Sequence, residues 1–192
     1  MRHLLFLSAA LAAALACAIA NDSMANVGTG GLVFIQTDAV RMVSEDLYVS
    51  MDEIRVRYEF RNETDKDIAT LVAFPMPDIV GSPEFMVALP TSDPENIFDF
   101  RSTFGGAPVQ VTLHQYAFAP NNIEYTAMLA DLGLALAPHA EETRAAVDDL
   151  SEAEKERLFG LGLLIPMEFD SGQGWQKEYY PGWTLKSTYS WE

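Results

Sequence analysis

Residues 54–60, Ile54-Arg55-Val56-Arg57-Tyr58-Glu59-Phe60, alternate apolar and charged side chains without a fault. A strand turns successive side chains to opposite faces, so this period of two puts Ile54, Val56, Tyr58 and Phe60 on one face and Arg55, Arg57 and Glu59 on the other. The apolar face is expected to meet a core and the charged face to meet water. Asn62-Glu63-Thr64-Asp65-Lys66-Asp67 follows as a polar turn. Beyond it Ile68 to Phe74 is apolar on both faces, as an interior strand requires, and Pro75-Met76-Pro77 stops it because proline has no amide to give the ladder. Residues 54–74 therefore predict an antiparallel hairpin.

Working outward, Leu32-Val33-Phe34-Ile35 reads as a short buried strand and Val40 to Ser50 as another, whereas Asn21 to Gly31 is small and polar and reads as a loose leader. A second hairpin is expected from Ile97 to Phe118, with Phe98 and Phe100 in its first arm, Gly105-Gly106 at the turn and Val109 to Leu113 in the return arm. From Asn121 to Leu164 the residues are helix formers. Tyr125, Met128, Leu129 and Leu132 recur at helical spacing, Gly133 follows as a stop, and Pro138 interrupts. A second helix fits Glu141 to Asp149. A third starts at Ser151-Glu152-Ala153-Glu154, a capping box whose serine and glutamate each satisfy a free amide, with Gly160 and Gly162 as its stop. After a Gly- and Tyr-rich link, Trp183, Leu185, Ser187, Tyr189 and Trp191 alternate with polar residues as a closing strand. The expected architecture is mainly β (α+β), a single antiparallel β-sandwich-like domain over residues 21–192 with a helical insertion at about 121–164.

The chain has 192 residues, 49% hydrophobic and 21% charged, with 12 Lys+Arg against 28 Asp+Glu. Composition of this kind fits a globular domain able to bury about 70% of its unfolded surface, and it excludes collagen-like repeats and wholesale disorder. A net charge of −16 excludes nucleic acid as a natural partner, because phosphate binding draws on clustered Lys and Arg. Met1-Arg2-His3 is basic, Leu4 to Ala16 is apolar apart from Ser8, and Ala18-Ile19-Ala20 forms an A-x-A cleavage site. Residues 1–20 therefore predict a secretory signal peptide cut after Ala20, and a periplasmic or secreted protein. The apolar run is too short for the ~20 residues a spanning helix needs. Lipidation of Cys17 is the competing reading, but Leu15 stands one position too late for a good lipobox. Cleavage leaves 11 basic against 28 acidic residues, a net charge of −17, and removes the single cysteine.

Several segments resemble one bacterial exported family. They are Gly28-Thr29-Gly30-Gly31-Leu32, Ser44-Glu45-Asp46-Leu47, Ile54 to Asn62, Thr70-Leu71-Val72-Ala73-Phe74-Pro75-Met76-Pro77-Asp78-Ile79, Leu158-Phe159-Gly160-Leu161-Gly162 and Trp183 to Glu192. On these residues the chain resembles domain of unknown function 4424 (DUF4424) over nearly all of its mature length. The resemblance carries no activity and no catalytic residues. It implies that the β-structure runs on past Tyr189-Ser190-Trp191, so that this chain is truncated at its C-terminal end. A shorter likeness joins the stretch ending in Phe74-Pro75-Met76-Pro77 to the β-rich head module of inter-alpha-trypsin inhibitor heavy chains, an extracellular interaction domain, and favours a sandwich.

No pattern here specifies catalysis. His114 and His139 lack the spacing of a zinc site, which needs about three protein ligands. Asn62, Asp65 and Asp67 could offer oxygens to calcium but lack the order of a calcium loop, so a solvated turn is the expected reading. Gly81-Ser82-Pro83 is no nucleophile elbow, Gly28 to Gly31 is no phosphate loop, and no cofactor is implied. Carboxylates about 5 to 10 Å apart could hydrolyse a glycoside, which keeps a carboxylate-dependent exported hydrolase as the alternative function. What stands out is aromatic. Trp175, Tyr179, Tyr180, Trp183, Tyr189 and Trp191 crowd the last 18 residues, and Trp with Tyr is enriched both at binding surfaces and in core layers. The expected function is non-enzymatic, an exported binding or envelope-structural module whose partner is an envelope protein or a glycan, with these six aromatics as the candidate surface.

Overall fold

The computed structural model describes residues 23–28, 31–34, 37–84, 87–172 and 174–192, and side chains from residue 37 onward. The expected signal peptide, its cleavage point and Cys17 lie outside the described residues. The strands are β1 (Ser23–Gly28), β2 (Gly31–Phe34), β3 (Val40–Val49), β4 (Ile54–Asn62), β5 (Leu71–Pro75), β6 (Ile79–Val80), β7 (Thr103–Phe104), β8 (Ala107–Pro108) and β9 (Thr112–Phe118). Helices α1 (Thr126–Asp131), α2 (Glu141–Asp148) and α3 (Glu152–Gly160) follow, and then β10 (Leu164–Asp170), β11 (Trp175–Pro181) and β12 (Thr184–Trp191). The fold is mainly antiparallel β with helices, as its residue patterns predict.

The strand that organises the main sheet is β12. One edge pairs with β9 from Thr184↔Phe118 to Ser190↔Thr112. Its other edge pairs with β5 at Thr188↔Pro75 to Trp191↔Val72 and with β6 at Thr184↔Val80 and Leu185↔Ile79. β5 and β6 are thus successive parts of one rank, interrupted by Met76-Pro77-Asp78. The Met76 amide still reaches the Ser187 carbonyl at 2.9 Å, so the interruption keeps a rung of the ladder. β1 then pairs with β5, and β2 with β1.

Alternation sorts β12 into two faces. Leu185, Ser187 and Tyr189 point into the core, where Leu185 and Tyr189 are wholly buried. Two apolar layers cover that face. Ile79, Ile97 and Leu185 form one, with Phe98, Leu89 and Leu136 against it. The other gathers Ala117, Leu129, Val147, Leu158, Leu163 and Trp183, so all three helices and the β10–β11 hairpin share one core. Each fully buried large side chain here contributes roughly 1.5–3 kcal/mol of transfer free energy.

The helices end where local chemistry dictates. Ser151 and Glu154 form the reciprocal capping box, with Ser151 Oγ accepting from the Glu154 amide at 3.3 Å. Gly133 and Gly162 take φ of 71° and 77°, the left-handed conformation that closes α1 and α3.

Four expectations are corrected. Residues 54–74 are not a hairpin: β4 pairs along its whole length with β3, from Val40↔Asn62 to Val49↔Ile54, while β5 enters the main sheet. The turn between β3 and β4 is tight, with the Ser50 amide on the Glu53 carbonyl and Ser50 Oγ accepting the Asp52 and Glu53 amides. β5 is apolar on both faces, and Ala73 is fully buried, so it belongs between strands and not at the edge of a hairpin.

The leader is likewise no leader over Ser23–Gly28, which is β1. The Gly105-Gly106 turn exists, with φ of 58° and 84°, but it joins only β7 to β8, each two residues long. Phe98 and Phe100 are not in strands because they fold over the sheet, Phe100 stacking on Tyr189 at 4.5 Å. The Gly- and Tyr-rich link is the β10–β11 hairpin, in register from Leu164↔Pro181 to Asp170↔Trp175.

Candidate functional site

The six aromatics do not form one surface: Trp183 and Tyr179 share the helical core, Tyr189 and Trp191 join a second cluster, and Trp175 stands exposed. Trp183 is fully buried in the helical core, where its indole N–H donates to the Leu136 carbonyl at 2.8 Å. Tyr179 is buried on β11 against Phe159, with rings 6.3 Å apart, and Lys177 lies 4.7 Å from its ring centre. A hydrogen bond with Tyr179 raises the Lys177 pKa. Tyr180 beside it is half-buried, whereas Trp175 at the start of β11 is 77% exposed.

Tyr189 and Trp191 join a different cluster with Phe74 and Phe100. The Tyr189 hydroxyl donates to Asn96 Oδ1 at 2.7 Å, and burial raises its pKa. Asn96 Oδ1 also accepts the Phe100 amide at 2.8 Å, and its Nδ2 donates to the Phe100 carbonyl at 3.0 Å. This carboxamide fastens the loop over the sheet. Trp191, half-buried, borders a shallow cleft of about 440 Å³ with Leu71, Val109, Gln110, Thr112 and Ser190.

The titratable candidates are dispersed. His114 on β9 places Nε2 2.8 Å from Ser190 Oγ, and burial lowers its pKa. His139 stands at the entry to α2 with Nδ1 buried and lacking a hydrogen-bond partner; burial lowers its pKa and Glu142 opposes that shift. Asn62 spends its side chain on its own turn, accepting the Thr64 amide at 2.8 Å and donating to the Lys66 carbonyl at 2.6 Å. Among the described residues no three His, Cys, Asp or Glu groups come together to hold a metal ion. The Glu154 carboxyl sits below its usual range because the Ser151 hydroxyl and amide bind it, which is helix-cap chemistry. A groove of about 340 Å³ on the β3–β4 hairpin is lined by Ser44, Asp46, Arg57, Tyr58 and Glu59.

The apolar face of β4, which sequence reasoning places in the core, lies on that same hairpin. The β3–β4 register sets Leu47 opposite Val56, Val49 opposite Ile54 and Met42 opposite Phe60, all on one face. The other face carries Asp46 opposite Arg57 and Tyr48 opposite Arg55, with the Arg55 guanidinium 4.9 Å from the Tyr48 ring centre. The segregation is as the alternation predicts, yet the apolar face is open. Ile54 is 72% exposed, Val49 63%, Leu47 58% and Phe60 46%. A bulge between Met42 and Ser44 twists β3 where the apolar stripe begins. The hairpin presents aliphatic and aromatic side chains on a two-stranded ladder, which suits contact with another surface.

Among the described residues no helix is long and apolar enough to cross a membrane. No curated protein and no solved structure matches the chain. A match to a domain of unknown function covers residues 20–192, and the chain belongs to that family, DUF4424.

Proposed function

We propose that this chain is an exported module, periplasmic or secreted after cleavage behind Ala20, that acts by binding and not by catalysis, in a partner-binding or envelope-structural role. The observation that carries the reading is the open apolar face of the β3–β4 hairpin. Monomeric soluble proteins rarely expose apolar patches larger than a few hundred Å² without a use for them. A two-stranded hairpin is also marginal alone in water and gains from a cover. Aliphatic side chains such as Leu47, Val49 and Ile54 suit a protein surface. A sugar ring would ask for an exposed aromatic platform, such as Trp175 or Phe104 could offer.

A photo-crosslinker at Leu47, introduced in the source cells, tests the reading. The expected result is a discrete adduct in the envelope fraction that Ile54→Glu abolishes, with no adduct from the same probe at Phe104, which is exposed on β7. Equal labelling from both positions would contradict it. Ester or glycoside hydrolysis abolished by Asp46→Asn or Glu59→Gln would replace it with the carboxylate hydrolase.

A further inference from the structure

We infer that the occupant of the open hairpin face is a second copy of this chain, two β3–β4 hairpins meeting apolar face to apolar face around a two-fold axis. The inference rests on the binding reading above and commits it to one partner.

Charge is the first reason. The chain carries a net charge of −16, so most of its surface repels a second copy. Residues 40–62 repel less than the average stretch of the chain, with four arginines and five acids, a net charge of −1. On the apolar face itself the register brings up one charged residue, Glu45 opposite Tyr58. The arginines lie on the other face, where two of the four make ion pairs within the same hairpin or beside it: Arg55 with Glu53 at 3.5 Å, and Arg41 with Glu63 at 2.6 Å. That face is therefore provided for in water, and the apolar face is the one that lacks a cover.

Area is the second. From their exposures, Leu47, Val49, Ile54, Phe60 and the turn residue Met51, which is 100% exposed, present about 600 Å² per copy. Two copies would bury on the order of 1,200 Å², the lower bound of a specific interface. A two-fold axis needs a self-complementary patch, and an apolar stripe of alternating rungs packs on its own copy with the spacing of stacked sheets, about 10 Å.

The test is the mass of the protein purified from its source cells, by light scattering after size exclusion across a concentration series. Twice the protomer mass, itself read from the same protein under denaturing conditions, is expected at micromolar concentration. Ile54→Glu and Leu47→Glu should each weaken self-association by at least about a hundredfold, and Phe104→Glu should leave it unchanged. Near-ultraviolet circular dichroism from buried Trp183 reports that each variant is folded. A monomeric wild type, or a dimer indifferent to Ile54→Glu, overturns the inference. If the wild type is monomeric but the Leu47 crosslink to another envelope protein is lost in Ile54→Glu, the binding reading stands and the second copy falls.

Discussion

Replacing Asn96 by Ala should loosen the loop over the sheet more than removing the hydroxyl that it binds. The Asn96 carboxamide makes three hydrogen bonds, one from Tyr189 and two to the Phe100 backbone. Each is worth about 1 kcal/mol net, but the Phe100 groups are only half-buried and can turn to water, whereas the Tyr189 side chain is wholly buried. Asn96→Ala should therefore cost about 2–3 kcal/mol, most of it from a Tyr189 hydroxyl that keeps its hydrogen bond with the Phe98 backbone but loses the acceptor of its own proton beneath the Phe100 ring. Tyr189→Phe deletes that hydroxyl and leaves Asn96 Oδ1 its bond from Phe100, for about 1 kcal/mol. In the double variant no buried hydroxyl is left without an acceptor, so its cost should be no larger than that of Asn96→Ala alone. Equilibrium unfolding in urea, followed by tryptophan fluorescence, gives all four stabilities and the coupling between the sites. Additive costs, or a Tyr189→Phe cost equal to that of Asn96→Ala, would refute the reasoning.

Gly81→Ala should destabilise by about 2 kcal/mol or more in the same titration, because a Cβ there would stand 2.4 Å from the Pro181 carbonyl oxygen and 2.8 Å from Pro138 Cβ. Gly160→Ala, with nothing within 4 Å of its Cβ, should instead stabilise by about 0.5 kcal/mol. Ser151→Ala removes the acceptor of the Glu154 amide and should lower stability by about 1 kcal/mol, read as a fall in melting temperature. The imidazoles of His114 and His139 have pKa values lowered by burial, so the unfolded chain takes up their protons first. Their contribution is complete above the ordinary histidine pKa of about 6.5 and is lost as pH falls from there through the folded values. Stability measured from pH 7.5 to 5 should fall, and His114→Asn with His139→Asn should flatten that fall.

What the sequence revealed was local chemistry. Ser151 and Glu154 announce their cap because both partners lie within one turn, and Gly162 announces a stop because its conformation is its own. Period two likewise gave β12 and β4 their faces. Pairing was less legible, since β4 could join a strand on either side. The choice fell to β3 because Ser50 closes a tight turn there, while Ala73 on β5 needs burial that an edge cannot supply. β10 escaped notice because Pro166 breaks its pattern, yet proline is tolerated in a sheet of two strands. Alternation also tells which side chains share a face without telling what that face meets, so Ile54 and Phe60 are expected inside and are found outside. Tryptophan serves cores and surfaces alike, and composition alone could not separate buried Trp183 from exposed Trp175.

The central claim is that the apolar face of the β3–β4 hairpin is covered by a partner where the protein works. Hydroxyl-radical footprinting of Ile54 and Leu47, in intact source cells and again in the purified protein at nanomolar dilution, tests it most directly. Protection in the cells and ready oxidation on dilution is the predicted result. Equal oxidation of both residues in the two settings would contradict it.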